Sequence, residues 1–371
     1  MSTDFPDIDE AFAEGGDDLP PREYTILESA DVMIEAAMAR KEPALHQKRA
    51  PAGYVLRGAS TMNRFNEDGT VTPVLQWVKT KDSLDPHVLI DIVKGALLAD
   101  PLPAAPNVRK TQPTSSEYEV AIVLGDPHFG MLAWDKETGD DWDVDIARRV
   151  HTNAIREALR LAPASSRLLI INLGDAVHAD GNTATTTAGT RVDVDSRWPK
   201  VVGIFVETMN LAINEGLQKH EHVEVVNIRG NHDDLTSLVI RMILAERWRD
   251  NPRVTIADNL KMVWGHKFGN NLICALHGDK TRLNNIPGLI AADYRKEWGE
   301  TKHAQVYAGH VHHHKAQEFP GIEVEYFRTL AAKDSWHANQ GYRSKRSLRC
   351  DVWHHEFGRT MMHEISLDQI K

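Results

Sequence analysis

Several things are scarce in this 371-residue chain, and each scarcity removes a class of protein. There are two cysteines, Cys274 and Cys350, too few for a disulfide framework and in keeping with a reducing compartment. No apolar run approaches the roughly 18 residues that a membrane span needs. The first stretch, "MSTDFPDIDEAFAEGGDDLPPREY", has neither a basic n-region nor an apolar h-region, so no secretory signal is expected there. The expectation is a soluble cytoplasmic protein with no membrane partner. Internal repeats, low-complexity tracts, a P-loop, a helix-turn-helix and any Ser-His-Asp or Cys-His pattern are all missing. Positive charge is also short, with 43 Lys+Arg against 53 Asp+Glu and a net charge of −10. Residues 1–116 hold 18 acids and 12 bases (−6), and residues 117–371 hold 35 and 31 (−4). A non-specific nucleic-acid binder is usually basic. Carboxylates that hold divalent cations do not act as bare negative charge, however, so the formal sum excludes little.

Histidine is plentiful. "QVYAGHVHHHKAQ" puts His310, His312, His313 and His314 within five positions at the end of an apolar strand. A buried structural histidine usually comes alone, so this cluster asks whether other segments supply carboxylates for a metal site.

The organisation along the chain answers in part. Residues 1–22, with seven acids in the first twenty positions and no base, read as a disordered tail. A small α+β module is expected over 23–100: a helix in "YTILESADVMIEAAMARK", two strands in "GYVLRGASTMNRFNEDGTVTPVLQWVKTK" joined at Asn66-Glu67-Asp68-Gly69, and a helix in "DPHVLIDIVKGALLA". "DPLPAAPNVRKTQPTSSE" is rich in Pro and Ser and reads as a linker, 101–116. Residues 117–371 form the expected catalytic domain. It begins as alternating strands and helices, with strands in "YEVAIVLGD", "RLLIINLGD" and "VEVVNIRG", and becomes strand-rich from "RVTIAD" onward. The fold class is α/β.

Five strands end on polar clusters: "LGDPH" (Asp126, His128), "LGDAVH" (Asp175, His178), "RGNHDD" (Asn231, His232, Asp233), "LHGD" (His277) and "AGHVH" (His310, His312). Residues just past the carboxyl ends of strands in α/β sheets converge on one crevice. Asp126, His128, Asp175, Asn231, His277, His310 and His312 are thus candidate metal ligands. Imidazole, carboxylate and amide oxygen without thiolate suit Mn, Fe, Zn or Co. Seven ligands are too many for one tetrahedral ion and about right for two ions sharing a carboxylate.

In this order, Asp126-x-His128, Gly174-Asp175, Gly230-Asn231-His232-Asp233, His277 and Gly309-His310-x-His312 resemble the signature of the calcineurin-like metallophosphoesterases, across about residues 117–315. The resemblance implies a four-layer αββα sandwich with two divalent metals, Mn2+ foremost, at one edge. It implies that Asp126, His128 and His312 hold one ion, that Asn231, His277 and His310 hold the other, and that Asp175 bridges them. A hydroxide shared by two such cations is a nucleophile at neutral pH, and the cations offset charge on the phosphoryl oxygens. His232 is the family's candidate general acid, and Asp233 is placed to hold its ring in the donating form.

The partner is expected to be a nucleic acid or nucleotide. Gly174-Asp175-x-x-His178 resembles the nuclease subunit of the double-strand-break repair complex. The stretch 174–198 and the N-terminal hairpin resemble phage- and prophage-encoded metallophosphoesterases. A DNA nuclease is the first expectation, a phosphodiesterase or phosphatase of small or cyclic nucleotides the alternative, and a non-catalytic binding protein on the same scaffold the third. Substrate contacts are expected from His178 and from Arg191 in the polar 180–200 insert. The basic stretch "YRSKRSLR" (342–349) reads first as a surface turn between strands and second as a phosphate contact, and Trp134 and Trp142 read first as packing residues at a loop and second as base-stacking surfaces. At least one of His313 and His314 should point away from the ligands, His354 and His355 should be structural, and Cys274 should lie in the core.

Overall fold

The computed structural model describes residues 55–66, 71–81, 102 and 105–370. The expected acidic tail and the two N-terminal helices lie outside the described residues. The chain divides into two compact units, Met1–Asp91 and Ile92–Lys371. In the first, strands β1 (Val55–Phe65) and β2 (Val71–Lys81) pair antiparallel from Val55 opposite Lys81 to Phe65 opposite Val71.

The second unit is built on two sheets. Strands β3 (Ser115–Leu124), β4 (Ser165–Asn172), β5 (His222–Asn227) and β6 (Val254–Ile256) are parallel, and β12 (Ser347–His354) and β13 (Gly358–Ser366) extend them antiparallel, in the order β13-β12-β3-β4-β5-β6. The other sheet runs β10-β11-β9-β8-β7, from β7 (Val263–Phe268), β8 (Asn271–Leu276), β9 (His303–Ala308), β10 (Lys315–Phe319) and β11 (Ile322–Tyr326). The main helices are α1 (Val144–Leu161), α2 (Trp198–Lys219), α3 (Asp234–Trp248), α4 (Ile286–Asp293), α5 (Arg295–Glu300) and α6 (Ser335–Asn339).

Side-chain alternation explains the four layers. Successive strand residues point to opposite faces, and the central strands are apolar on both. Val120, Ile122, Leu168, Ile170, Val223 and Val225 pack against α1, α2 and α3. Their neighbours Ala121, Val123, Leu169, Ile171 and Val226 pack instead with Ile273, Ala275 and Tyr307 of the second sheet. On that sheet's far side Leu272, Cys274, Leu276, Val306 and Ala308 meet Ile286 and Ile290 of α4. Three cores between four layers make an αββα sandwich, with Cys274 in one of them. Among the described residues no helix is long and apolar enough to cross a membrane.

Helix termini fix the loops around the site. Helix α1 buries Val144, Ala147, Val150, His151, Ala154, Ile155, Ala158 and Leu159 on one face, a spacing of three and four that turns a stripe to the sheet. Its N-cap Asp143 accepts from Ile146 N at 2.7 Å. Helix α3 is capped from a distance. Asp180, in the insert after β4, accepts from Thr236 N at 2.9 Å and Leu235 N at 3.2 Å. Its own N-cap residue, Asp233, makes no side-chain cap, because that carboxylate is used elsewhere.

Candidate metal centre

The strand-end residues meet at one place. The ligating atoms of Asp126, His128 and His312 lie within 4.8 Å of one another, and so do those of Asp175, His277 and His310. His277 Nε2 lies 3.4 Å from Asp175 Oδ2 and 2.9 Å from Asn231 Oδ1, and its Nδ1 reaches the other group, 3.6 Å from Asp126 Oδ1. His128 Nε2 stands 3.0 Å from His312 Nε2 and 4.0 Å from Asp175 Oδ2. All seven candidate ligands are therefore brought together.

The backbone is strained to do this. Six described non-glycine residues have left-handed φ, and five of them are Asp126 (43°), His128 (45°), Asp175 (51°), His310 (73°) and His312 (56°). Such conformations persist only where the surroundings over-determine them. At Gly230 a Cβ would overlap Asp175 Oδ1 and the Asp175 amide, so only glycine lets the Gly-Asn-His-Asp loop pass the central carboxylate.

Three observations fit this cradle to divalent cations. First, Asp126 Oδ2 is buried with no hydrogen-bond partner, although Oδ1 accepts from His310 N at 2.8 Å. Second, His277 Nδ1 donates to Leu173 O at 2.9 Å, which turns Nε2, the position open to a proton or a cation, toward two oxygens that are themselves acceptors. Third, burial, followed by the neighbouring imidazoles, drives His128 well below its ordinary range and His312 down to about 3. Burial and then His277 lower His310. These three rings are therefore neutral, with lone pairs free to ligate. The acids differ. Burial raises Asp126 to about 7, with Asp175 adding to it and His277 opposing. Burial would raise Asp175 too, but facing His277 holds it well below the carboxylate range. Against burial, Asp175 and then Asp126 lift His277 to about 10. A proton is what balances this cluster when no other cation does.

A model of the calcineurin-like phosphoesterase family matches residues 120–339, which is more than half of the chain and includes every candidate ligand. The chain belongs to the calcineurin-like phosphoesterases. No curated protein matches it. Among solved structures it is similar to Yfce, a phosphoesterase from E. coli (13% identity, 67% of this chain and 100% of that one, TM-score 0.33). It is also similar to a conserved uncharacterised protein of Streptococcus pneumoniae described as a predicted phosphoesterase (12%, 68% and 99%, 0.28). A third is Vps29 with zinc from Entamoeba histolytica (11%, 67% and 99%, 0.29). The family match alone carries the assignment. As a calcineurin-like phosphoesterase the protein is a metal-dependent hydrolase of ester bonds, and the cradle described above is the candidate metal centre.

Two roles expected in this phosphoesterase need correction. Asp233 does not hold the His232 ring. Its carboxylate is fully buried and accepts from Ala176 N at 2.7 Å, Gly230 N at 3.0 Å and Asp175 N at 3.2 Å. It ties the Asp175 loop to the Gly-Asn-His-Asp loop. Burial, followed by the Asp175 charge, raises it to about 7. The His232 ring is instead held by a backbone group, Nδ1 donating to His178 O at 2.8 Å, while its amide donates to Asp175 Oδ1 at 2.8 Å. The short loop leaves Asp233 pointing inward, opposite its neighbour. Nor is His178 available to substrate as expected. It is 2% exposed, sits 3.1 Å from His128 Nδ1 through its own Nδ1, and stacks on His232 at 5.0 Å. It packs against His128 on one side and His232 on the other.

The site opens into a cleft of about 550 Å³ lined by His232, His310, His312, Thr190, Arg191, Asp334, Trp336, His337 and Tyr342 among others. Arg191 lies in it, exposed. The basic stretch does not, apart from Tyr342. Arg346 donates to Leu330 O at 2.7 Å and covers the Trp142 ring at 5.0 Å. Arg349 is buried against Glu325 (3.1 Å). Trp142 is 1% exposed and so cannot stack a base. His313 lines the cleft, whereas His314 turns away to Glu325 Oε1 at 2.9 Å. His354 is a packing residue, in ring contact with Tyr118 and Phe357. Sequence reasoning missed Asp334 and His337. Asp334 Oδ1 lies 2.7 Å from both His337 Nδ1 and its amide, and the His337 ring stacks on His312 at 5.0 Å. The only trace in sequence is an Asp three residues before a His, the spacing of a helix cap.

Proposed function

We propose that this phosphoesterase is a phosphodiesterase that uses two Mn2+ ions and acts on DNA. The observation that carries the reading is the placement of His232. Its ring centroid lies 4.9 Å from that of the ligand His128, and the residue lines the cleft rather than the buried cradle. Asp126, His128 and His312 would hold one cation and Asn231, His277 and His310 the other, with Asp175 between them. Such a pair supplies an activated water and offsets phosphoryl charge during in-line displacement. The chain's own residues do the rest. With Nδ1 committed to the His178 carbonyl, His232 presents Nε2 to the cleft. To protonate a departing sugar oxygen the ring must enter as imidazolium, so both nitrogens carry protons at that moment. Arg191, which lines the same cleft, offers a guanidinium to a non-scissile phosphate.

DNA is favoured because the cleft is lined both by polar residues (Thr186, Thr190, Arg191) and by aromatic ones (Trp336, Tyr342), a combination suited to a backbone with a base attached. The likeness of residues 174–198 to phage-encoded enzymes points the same way. One feature favours a small or cyclic nucleotide instead: a cleft of this size is within the range of single-ligand pockets. The deciding experiment compares labelled single-stranded DNA, duplex DNA and a nucleotide panel in Mn2+, beside bis-p-nitrophenyl phosphate. The nuclease reading expects DNA cleavage that His232→Ala reduces by about 100-fold or more. Indifference to every DNA form, with fast hydrolysis of one nucleotide, contradicts it.

A further inference from the structure

We propose that Trp336 and Tyr342 form a nucleobase subsite, stacking the base of the nucleotide next to the scissile phosphate. The proposal rests on the reading of the site as one for nucleic acid or nucleotide, and adds the part of the substrate these residues recognise.

Exposure is the first argument. Trp336 is 59% and Tyr342 39% exposed, although most large apolar side chains of this unit are buried. Exposed aromatic surface that is neither packed nor scattered marks a contact surface. Trp134 is similarly exposed but lies outside the cleft, with the Lys136 ammonium over its ring at 5.4 Å. Trp336 and Tyr342 instead line the same cleft as His232 and His312.

Preorganisation is the second. Asp334 caps α6 by accepting from His337 N. Tyr342 N donates to His337 O at 3.1 Å, which folds the chain back over that helix. The His337 ring then sits between the aromatic pair and the metal centre. It contacts Trp336 edge-on (4.9 Å, 88°), Tyr342 (5.3 Å, 70°) and, face to face, the ligand His312 (5.0 Å, 24°). Trp336 and Tyr342 are themselves stacked at 6.0 Å and 30°. At that separation no base fits between them, so it lies on their open face. The platform is two ring contacts from a metal ligand, within reach of the nucleoside attached to the phosphate being cut. A π-face accepts any base, so the subsite reads the presence of a base and not its identity. Arg191 and Thr190, which line the same cleft, are left to the phosphates.

The test uses the whole Mn2+-loaded protein with Trp336→Leu and Tyr342→Leu, circular dichroism and metal content serving as controls for folding. The kcat/KM is measured for oligodeoxynucleotides that differ only in whether the nucleotide beside the cleaved bond is normal or an abasic spacer. Stacking on aromatic side chains predicts that the spacer slows the wild type about 5- to 150-fold, mainly through KM, and each variant less than about 3-fold. Calorimetry with deoxyadenosine monophosphate and deoxyribose 5-phosphate gives the same comparison without cleavage. A base-dependent gain in binding lost in Trp336→Leu supports the subsite even where no oligonucleotide is cut, an outcome that would fault only the nuclease reading. Equal binding of the two ligands by the wild type, or full base dependence in both variants, overturns the subsite while leaving that reading in place.

Discussion

Replacing Asp233 with asparagine separates two accounts of the Gly-Asn-His-Asp loop. The carboxylate has three backbone donors: Oδ1 takes Gly230 N (3.0 Å) and Asp175 N (3.2 Å), and Oδ2 takes Ala176 N (2.7 Å). Asparagine keeps one acceptor oxygen. In its better orientation that oxygen retains Gly230 and Asp175, and the NH2 group is turned to the Ala176 N–H. Two buried donors then face each other without an acceptor. At about 1–3 kcal/mol for each unsatisfied buried group, the loss is about 2–6 kcal/mol, a large part of the stability of an ordinary domain. Urea unfolding of the metal-free protein measures it directly. Because the same clamp places Asp175, Mn2+ affinity should fall by about 10-fold or more. An unfolding free energy changed by under about 1 kcal/mol, with kcat down about 100-fold at unchanged Mn2+ affinity, would show that Asp233 acts on His232 after all.

Further outcomes follow from other features. Gly230→Ala puts a methyl group onto Asp175 Oδ1, and an isotherm should show Mn2+ affinity weakened at least about 10-fold, as displaced support for ligands does elsewhere. Chelation should lower stability by RT ln(1+[L]/Kd), about 4 kcal/mol relative to Mn2+ at 1,000 times Kd; calorimetric scans should show this shift for the wild type and little of it for Asp175→Asn. Burial lowers His151 to about 4, against about 6.5 in the unfolded chain. A histidine depressed in the folded state contributes stability above the unfolded value and loses it as pH falls toward the folded one, here about 2 kcal/mol between pH 7 and pH 5. The stability lost over that interval should therefore be smaller by that amount in His151→Gln, and an unchanged loss would contradict the assignment.

The legible part of the fold was the part with a period. Continuous apolar runs such as 120–124 and 168–171 mark strands buried on both faces, and glycine before Asp126, Asp175, Asn231 and His310 marks sharp strand-end turns. Ligand identity could be read because strand ends in such sheets converge. The elements that went unread are those with no local signal. Strand β10, "KAQEF", is almost wholly exposed and exists through pairing with β11. Helices α4 and α5 are short and contain Gly288 and Gly299, which blur a helical pattern. Asp233 was assigned to the wrong partner because sequence places it beside His232 but cannot show its direction. Trp142 and Trp336 illustrate the same limit: both sit in polar stretches of sequence, yet tertiary packing buries one under Arg346 and leaves the other in the cleft.

Crystals grown in Mn2+ and measured at the manganese absorption edge test the central claim most directly. Two anomalous peaks are expected, about 3.5–4 Å apart, one among Asp126, His128 and His312, the other among Asn231, His277 and His310, with Asp175 touching both. A single peak, or none in excess Mn2+, would contradict a two-cation centre built from these seven side chains.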